Sequence, residues 1–229
     1  MNRYKKQILL VLICVSLAGM LLWIKNVEYQ KQQALALEQI EQENKQKALT
    51  ALQEEGQKTV DELLPKLGGF PSTLEEKELD AAVKQAHTFI DTYKTYIAEN
   101  EDDAVLAWQV CELYRQLYNT DEPNSFENTE KYCEKSIQLN SEDARPYISQ
   151  AMLYVNANIA LADDAAQLFL KAQERAKDDY EKIAVYQGLA FAYYYQGKVD
   201  ELEILLEKWN EEYPTNTQLD LFKNVLKKK

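Results

Sequence analysis

Glycine, proline and histidine are scarce in this sequence. Its 229 residues include 6 glycines, 5 prolines and 1 histidine. Because β-sandwiches require frequent turn residues, this shortage disfavours an all-β fold and favours long helices with short connections. Apolar residues still make up 46% of the chain, which is enough to bury a sizeable core. The composition therefore predicts an all-α protein.

Sequence patterns that carry catalysis or hold cofactors are missing as well. His87 has no cysteine or serine motif beside it, so we interpret it as a partly exposed structural residue rather than a general base. Gly68 and Gly69 lack the spacing and the following lysine of a phosphate-binding loop. No CxxC motif or pair of histidines offers zinc ligands. We therefore expect a protein that is not an enzyme and that requires no metal or cofactor.

Positive charge is outnumbered by negative charge over most of the chain. The formal net charge is −12, yet Arg3, Lys5, Lys6 and Lys25 flank the first apolar run and no acidic residue precedes Glu28. Since these four belong to a total of 26 basic residues, the remainder carries 22 basic against 38 acidic residues. Nucleic-acid binding depends on Lys and Arg that neutralise phosphates, so this balance argues against it. A solvated surface explains the acidic excess, and a site for basic ligands is the alternative.

Residues 8–24 form the one long hydrophobic run and contain no charged side chain. As a helix with a rise of ~1.5 Å per residue they would extend roughly 25 Å, close to the shortest length that crosses a bilayer. Tyr4 and Trp23 lie at the ends, where amphipathic rings prefer the headgroup layer. The basic residues before the run predict a single-pass protein with residues 1–7 in the cytoplasm and the C-terminal domain exported.

A cleaved signal peptide is the alternative interpretation of this run. Ser16, Leu17 and Ala18 offer a small-x-small cleavage pattern. The apolar run continues beyond it to Trp23, whereas a cleavage site is normally followed by polar sequence. Cys14 follows Ile13 rather than a small residue, unlike the cysteine of a lipoprotein signal. We therefore predict an uncleaved transmembrane anchor at residues 8–24.

Residues 25–66 are rich in Gln, Glu, Lys and Ala, which favour helix. The apolar positions of this segment follow no strict heptad: Leu35, Leu37, Ile40, Leu49, Leu52, Val60, Leu63 and Leu64. We interpret it as a solvated helical stalk, and a coiled coil through which two chains oligomerise is the alternative. Pro65 and residues 68–71 predict a break, after which Ser72 and Glu75 resemble a capping box that opens a helix reaching Glu99.

Three later stretches repeat one pattern of large, small and tyrosine residues, each followed by a second helical pattern. The first helices carry Ala107, Val110, Cys111 and Tyr114; Tyr147, Ala151 and Tyr154; and Tyr186, Leu189, Ala190 and Tyr193. The second helices carry Thr129, Cys133 and Ser136; Ala165, Phe169 and Ala172; and Leu202, Leu206 and Trp209. Gly197 marks a turn and Pro214 ends the last stretch.

Asp102–Asp103 and Asp163–Asp164 fit helix starts, with calcium ligation as the alternative.

Over residues 104–216 the chain resembles the tetratricopeptide-repeat family. The corresponding small residues are 40 and 39 positions apart, longer than the family's ~34-residue repeat, and the excess lies chiefly in residues 119–126. The resemblance implies that residues 72–229 form a solenoid of about three helical hairpins with a closing helix around Leu219–Leu226. It also implies a protein that binds other proteins or peptides.

The resemblance further implies a concave binding surface lined by the first helix of each pair. Projection of these helices places nine residues there: Trp108, Glu112, Arg115, Ile148, Met152, Val155, Phe191, Tyr194 and Tyr195. We expect this surface to take an apolar or amphipathic segment, with Arg115 orienting a carboxylate. Coverage by the chain's own N-terminal or closing helix is the alternative.

The same pattern places Cys111 and Cys133 opposite each other across the first helix pair. Their Cα atoms would then approach the range of about 4.4–6.8 Å that a disulfide requires. In an exported domain the bond would persist and would close the loop that contains residues 119–126. Two buried thiols that act as small apolar residues are the alternative.

Three functions fit these features. The first is a membrane-anchored adaptor that binds a partner protein or peptide on the exported side, in an envelope, secretion or assembly complex. The second is a permanent structural subunit of a membrane protein complex. The third is a holdase-like chaperone for exported chains. All three are binding functions. The helical patterns predict a fold, and they do not distinguish between these functions.

The topology of the chain can be tested by fractionation. Because the positive charges precede an uninterrupted apolar run, the full-length protein should pellet with membranes and resist carbonate extraction. Protease added on the exported side should remove everything after about residue 25. A soluble form that begins near Gly19 would instead identify a cleaved signal peptide.

Overall fold

Helices account for 84% of the structure, a computed structural model that describes the backbone of residues 3–69 and 74–226 and the side chains of residues 20, 23–69 and 74–223. These ranges contain α-helices, one short 3-10 helix at Ile159–Leu161, and no strand. The predicted all-α fold is therefore confirmed. The α-helices are α1 (Arg3–Leu67), α2 (Glu76–Glu99), α3 (Ala104–Tyr118), α4 (Ser125–Leu139), α5 (Arg145–Ala157), α6 (Ala162–Gln173), α7 (Asp179–Gln196), α8 (Val199–Glu212) and α9 (Thr217–Leu226).

The helices of the three repeated stretches, α3 to α8, and the closing helix α9 form where the sequence pattern predicts them. Asp103 is the N-cap of α3, and its carboxylate accepts from the backbone N–H groups of Val105 and Leu106 at 3.0 and 2.9 Å. Gly197 ends α7 in the left-handed conformation, with φ of 69°, which a residue without Cβ adopts at no cost. The proposed cap residue Ser72 lies outside the described residues, and α2 begins after Glu75.

The chain divides into two compact units, Met1–Ala51 and Leu52–Lys229. In the first unit, the helix α1 exposes the side chains of Trp23, Leu37 and Ile40. Lys45 and Glu41, one turn apart, form an ion pair of 2.9 Å on its surface. This part of α1 is thus a helix with solvated side chains.

No helix among the residues described is both long enough and apolar enough to cross a membrane. Within the predicted anchor, residues 8–24, the side chains of 8–19, 21 and 22 lie outside the described set. The anchor therefore stays a prediction.

The structure corrects the boundary between stalk and domain. The sequence analysis assigns residues 25–66 to the stalk and begins the domain at residue 72, whereas the second unit begins at Leu52. Leu52 and Val60 are buried, and Leu63 and Leu67 are completely inaccessible to solvent. These positions recur on one face of α1 at helical spacing, so the last four turns of α1 belong to the domain core.

Side-chain amides of α3 bind the backbone of this part of α1. Gln109 Nε2 donates to the Gln53 carbonyl at 2.7 Å, and Asn119 Nδ2 donates to the Leu67 carbonyl at 2.8 Å, where α1 ends. Gln116 Nε2 makes a longer bond of 3.4 Å to the Val60 carbonyl. Because Leu67 is in the last turn, its carbonyl has no partner within α1, and Asn119 supplies one. Pro65 lies within this turn, so the predicted break comes two residues later.

The remaining helices pack as consecutive pairs whose first members also contact one another. α3 packs on α4, α5 on α6 and α7 on α8, while α3 contacts α5 and α5 contacts α7. Small residues permit these approaches. Cys111, Ala151 and Ala190 are fully buried, and a Cβ on Gly188 would lie 2.0 Å from Cζ of Phe169. Helix α9 covers the end of the row by packing on α7 and α8.

A disulfide joins α3 to α4. It links Cys111 and Cys133, whose Cα atoms are 5.1 Å apart and which are separated by 22 residues. This confirms the predicted pair and sets aside the alternative of two free thiols. The loop that it closes includes Asp121 and Asn124, both with positive φ. By chain-entropy arguments such a link restricts the unfolded chain by roughly 3 kcal/mol.

Replacing Gly56 by alanine should undock the end of α1. A Cβ at this position would lie 2.0 Å from Gln109 Oε1 and 2.5 Å from Phe89 Cζ. Gln109 and Phe89 are buried, so neither has free space to yield. We expect the overpacking penalty of about 1–3 kcal/mol to exceed the gain of up to ~1 kcal/mol from alanine's helix propensity. Urea unfolding followed by circular dichroism would measure the loss.

Gly69→Ala is the matched control, because no atom lies within 4 Å of a Cβ built there. Its unfolding free energy should change by less than about 0.5 kcal/mol. Hydrogen exchange should locate the Gly56→Ala effect in residues 52–67. A Gly56→Ala protein as stable as the parent would contradict the close packing of α1.

Candidate functional site

A groove of about 790 Å³ runs along the first helices of the row. Its walls come from the end of α1, from α3, α5 and α7, and from the beginning of α9. The apolar residues that line it are Val60, Leu64, Trp108, Ile148, Met152, Ile183 and Phe191. The charged residues that line it are Asp61, Glu112, Arg115, Arg145, Asp178 and Glu181.

The structure brings six of the nine predicted surface residues together in this groove: Trp108, Glu112, Arg115, Ile148, Met152 and Phe191. Val155 and Tyr195 instead line a second, more polar depression of about 660 Å³. Tyr194 lines neither of these two spaces and packs against Tyr195, with ring centroids 5.7 Å apart. The projection of α7 is therefore accurate at Phe191 and fails one turn later.

The floor of the groove is a buried network of polar side chains around Glu112. Arg115 donates to both oxygens of this carboxylate, from Nε at 2.8 Å and from Nη2 at 2.5 Å. Ser149 on α5 donates to the same carboxylate at 2.7 Å. Ser149 in turn accepts from the indole N–H of Trp108 at 3.3 Å, and Gln116 donates to Glu112 at 3.2 Å. The network thus ties α3 to α5.

Burial alone would favour the neutral forms of Glu112 and Arg115. The charge of Arg115, with the hydrogen bonds from Arg115, Ser149 and Gln116, outweighs that effect and holds the pKa of Glu112 below its usual range. The charge of Glu112 correspondingly outweighs burial and raises the pKa of Arg115. Both groups are therefore ionised together at neutral pH.

This pairing corrects the expected role of Arg115. The sequence analysis assigns its guanidinium to a carboxylate of the partner, but that guanidinium faces the carboxylate of Glu112. Arg145, the other cation that lines the groove, donates from Nε and Nη2 to Asp143 at 3.0 and 2.6 Å. Its guanidinium also lies 4.1 Å from the centre of the Trp108 ring. Both cations are held by the protein itself.

The chain's own helices border the groove and leave its volume open. Residues 57–68 of α1 form one side, and Asn216, Thr217 and Gln218 at the start of α9 contribute to the other. The alternative expectation is that one of these helices covers the concave surface. In the described part of the chain, both helices contribute walls of the groove and neither fills it. Trp108 is only 7% exposed, whereas Ile148, Met152 and Phe191 stay partly accessible.

Many residues that line the groove are not among those predicted from the sequence, and four of them are Val60, Asp61, Asp178 and Glu181. Val60 and Asp61 were assigned to the stalk, so no contact with the repeated helices was expected. Asp178 and Glu181 have the spacing of a helix cap, which can be recognised in the sequence. Asp178 is the N-cap of α7, and its carboxylate accepts from the N–H of Glu181, three residues later, at 2.8 Å. Reading that cap would have placed both carboxylates at the N-terminal end of a lining helix.

Other sites in the described chain have simpler explanations. His87 Nε2 lies 3.0 Å from Glu122 Oε1, and His87 does not line the groove. Within the ranges described, no group of three His, Cys, Asp or Glu side chains is arranged to hold a metal ion. Asp102 forms an ion pair with Lys135 at 2.6 Å, and Asp163 and Asp164 lie in the first turn of α6.

Comparison of the chain with known protein families, with curated proteins and with solved structures finds no match.

Replacing Glu112 by glutamine should destabilise the domain strongly. The change preserves the shape of the side chain but leaves the buried guanidinium of Arg115 without a counter-charge. Loss of one partner of a buried ion pair costs about 3–5 kcal/mol. Urea unfolding, monitored by the fluorescence of the tryptophans, would measure the difference.

The double variant Glu112→Gln/Arg115→Met is the control, because it removes both charges and should recover part of the loss. The parent protein and this double variant should also differ in acid. Since folding lowers the pKa of Glu112, its contribution is fully present above the unfolded value of about 4.3 and disappears as pH falls through the lower folded value. The double variant should lack this acid-dependent component. Equal acid sensitivity of the two would show that Glu112 is not ionised in the fold.

Proposed function

We propose that this chain is a non-catalytic adaptor that binds a segment of a partner protein in the groove between α1, α3, α5 and α7. The observation that carries this proposal is the accessible apolar strip of Ile148, Met152 and Phe191, which the helices α5 and α7 present to one open space. Concave sites lined by apolar side chains with a few polar groups are the usual form of a binding site. The volume of about 790 Å³ is sufficient for several side chains of a bound segment.

The tetratricopeptide-like arrangement is part of this proposal. It is supported by the order of the helix pairs, by the contacts between successive first helices and by the small residues at corresponding positions. Groove binding of an extended or helical segment is a recurring mode of peptide recognition by helical surfaces. The fold alone specifies no partner, so the chemistry of the groove has to do so.

We further propose that residues 8–24 anchor the protein in a membrane and that the C-terminal domain is on the exported side. The basic residues before the anchor support this orientation. The disulfide between Cys111 and Cys133 supports it independently, because such bonds persist in oxidising compartments and are rare in the cytosol.

A permanent structural subunit is the second candidate, and one observation favours it. The part of α1 in the first unit leaves five apolar side chains exposed between residues 27 and 40: Val27, Tyr29, Leu35, Leu37 and Ile40. A fixed neighbour, or a second copy of this helix, would cover them. In that case the stalk, rather than the groove, would make the main contact with the neighbour.

Photo-crosslinking in the native membrane separates these two functions. A benzoylphenylalanine at Met152 or Gln187, both in the groove, should capture a partner, whereas one at Ile204 should not. Ile204 is the matched control because it is 67% exposed on α8. An adaptor should lose its crosslink when excess unlabelled domain competes for the partner. Crosslinks that survive competition, or that arise from the stalk alone, would favour the permanent subunit.

A further inference from the structure

We infer that the groove recognises a basic amphipathic segment, with apolar side chains on the groove floor and Lys or Arg against an acidic rim. This inference rests on the proposed function, because it names the chemistry of the partner that the groove would bind. The sequence predicts a partner with a carboxylate that Arg115 binds, whereas this inference gives the partner a positive charge.

The cations of the groove are not available to an acidic partner. Arg115 and Arg145 are the two basic residues among its described lining. Arg115 contacts both oxygens of Glu112, and Arg145 contacts both oxygens of Asp143. An acidic segment would have to compete with carboxylates that are already in place and desolvated, so it would gain little charge neutralisation.

The acids of the rim, in contrast, have no cationic partner. Asp61, Asp178 and Glu181 line the groove, and none of them forms an ion pair with a Lys, Arg or His of the described chain. Each accepts a hydrogen bond from a neutral donor instead. These donors are Gln57 Nε2 to Asp61, the Glu181 N–H to Asp178 and the Lys177 N–H to Glu181. Three uncompensated negative charges therefore border the apolar strip.

These carboxylates converge on one part of the groove although they come from different helices. Asp61 belongs to α1, Asp178 is the N-cap of α7 and Glu181 lies in the first turn of α7. Because all three line the same groove of about 790 Å³, a single bound segment can reach the rim acids together.

The apolar strip determines the other face of the segment. Ile148 and Met152 are one turn apart on α5, and Phe191 of α7 lines the same groove. An amphipathic segment with large apolar residues at spacings of three and four fits such a strip. The polar face would then meet the rim, where complementary charges speed association and exclude partners of the wrong sign.

Two synthetic peptides test the sign of the recognition. Both are 14-residue helix formers with Leu and Phe at spacings of three and four. One has Lys and the other Glu at its polar positions. Fluorescence anisotropy with the full-length chain in maltoside micelles would measure their binding, with empty micelles as the blank. We expect the Lys peptide to bind and to weaken as salt is raised, and the Glu peptide to bind at least tenfold more weakly.

The triple variant Asp61→Asn/Asp178→Asn/Glu181→Gln tests the site. Each replacement keeps a hydrogen-bond acceptor, and asparagine caps helices as well as aspartate does, so the fold should be retained. We expect the affinity for the Lys peptide to fall about tenfold. The matched control is Glu203→Gln/Glu207→Gln/Glu211→Gln, which removes the same charge from exposed positions of α8. It should change the affinity by less than about twofold, since rim charges act locally in salt.

A second variant, Met152→Lys, adds a positive charge to the groove without touching an acid. It should weaken the Lys peptide and strengthen the Glu peptide. The inference is overturned if the Lys peptide does not bind, if the Glu peptide binds equally well, or if the two triple variants behave alike. It is also overturned if the groove crosslinks at Met152 identify a second copy of this chain as the occupant. If the peptides contradict the inference but the crosslinks still identify another protein, the adaptor function is retained. Only the proposed preference for a basic segment is then rejected.

Discussion

Helix α3 is surrounded by protein, and its polar side chains must therefore find partners inside the fold. Every residue from Leu106 to Leu117 is buried, and four of them, Gln109, Glu112, Arg115 and Gln116, are polar or charged. A buried polar group without a partner costs about 1–3 kcal/mol. The neighbours of α3 are arranged to supply these partners. α1 offers backbone carbonyls, α5 offers Ser149, and Glu112 and Arg115 neutralise each other.

The docking of α1 follows from this constraint, yet apolar burial rather than hydrogen bonding provides most of its stability. Leu63 and Leu67 are completely buried, and each contributes about 1.5–3 kcal/mol. The amide bonds from Gln109 and Gln116 contribute about 0.5–1.5 kcal/mol each. That gain is largely offset because the side-chain oxygens of both residues have no hydrogen-bond partner among the described atoms. The amides therefore fix the position of α1 more than they stabilise it.

The sequence predicts the helix pairs well because their signal is periodic. Large and small residues recur at fixed spacing from Ala107 to Trp209, and the same spacing places Cys111 opposite Cys133. The assignment of α1 fails for the opposite reason. Its contacts with α3 run from glutamine and asparagine side chains to backbone carbonyls, and any residue of α1 can supply a carbonyl. These hydrogen bonds leave no trace in the sequence of α1. Its buried apolar positions, Leu52, Val60, Leu63 and Leu67, are few within a Gln- and Glu-rich composition that is typical of a solvated stalk.

The candidate site is predicted in part for a related reason. Position on a helix face is readable from the sequence, so six of the nine predicted residues line one groove. The electrostatic role of a side chain depends on what it already binds, and that is a property of the fold. Glu112 precedes Arg115 by three residues, a spacing at which opposite charges meet on one helix face. α1 and α5 bury both side chains. The Glu112–Arg115 pair is therefore favoured over pairing of Arg115 with an outside carboxylate, because separating the pair would leave two desolvated charges. The floor is thereby neutral, and the unpaired carboxylates of the rim dominate the field that a partner meets.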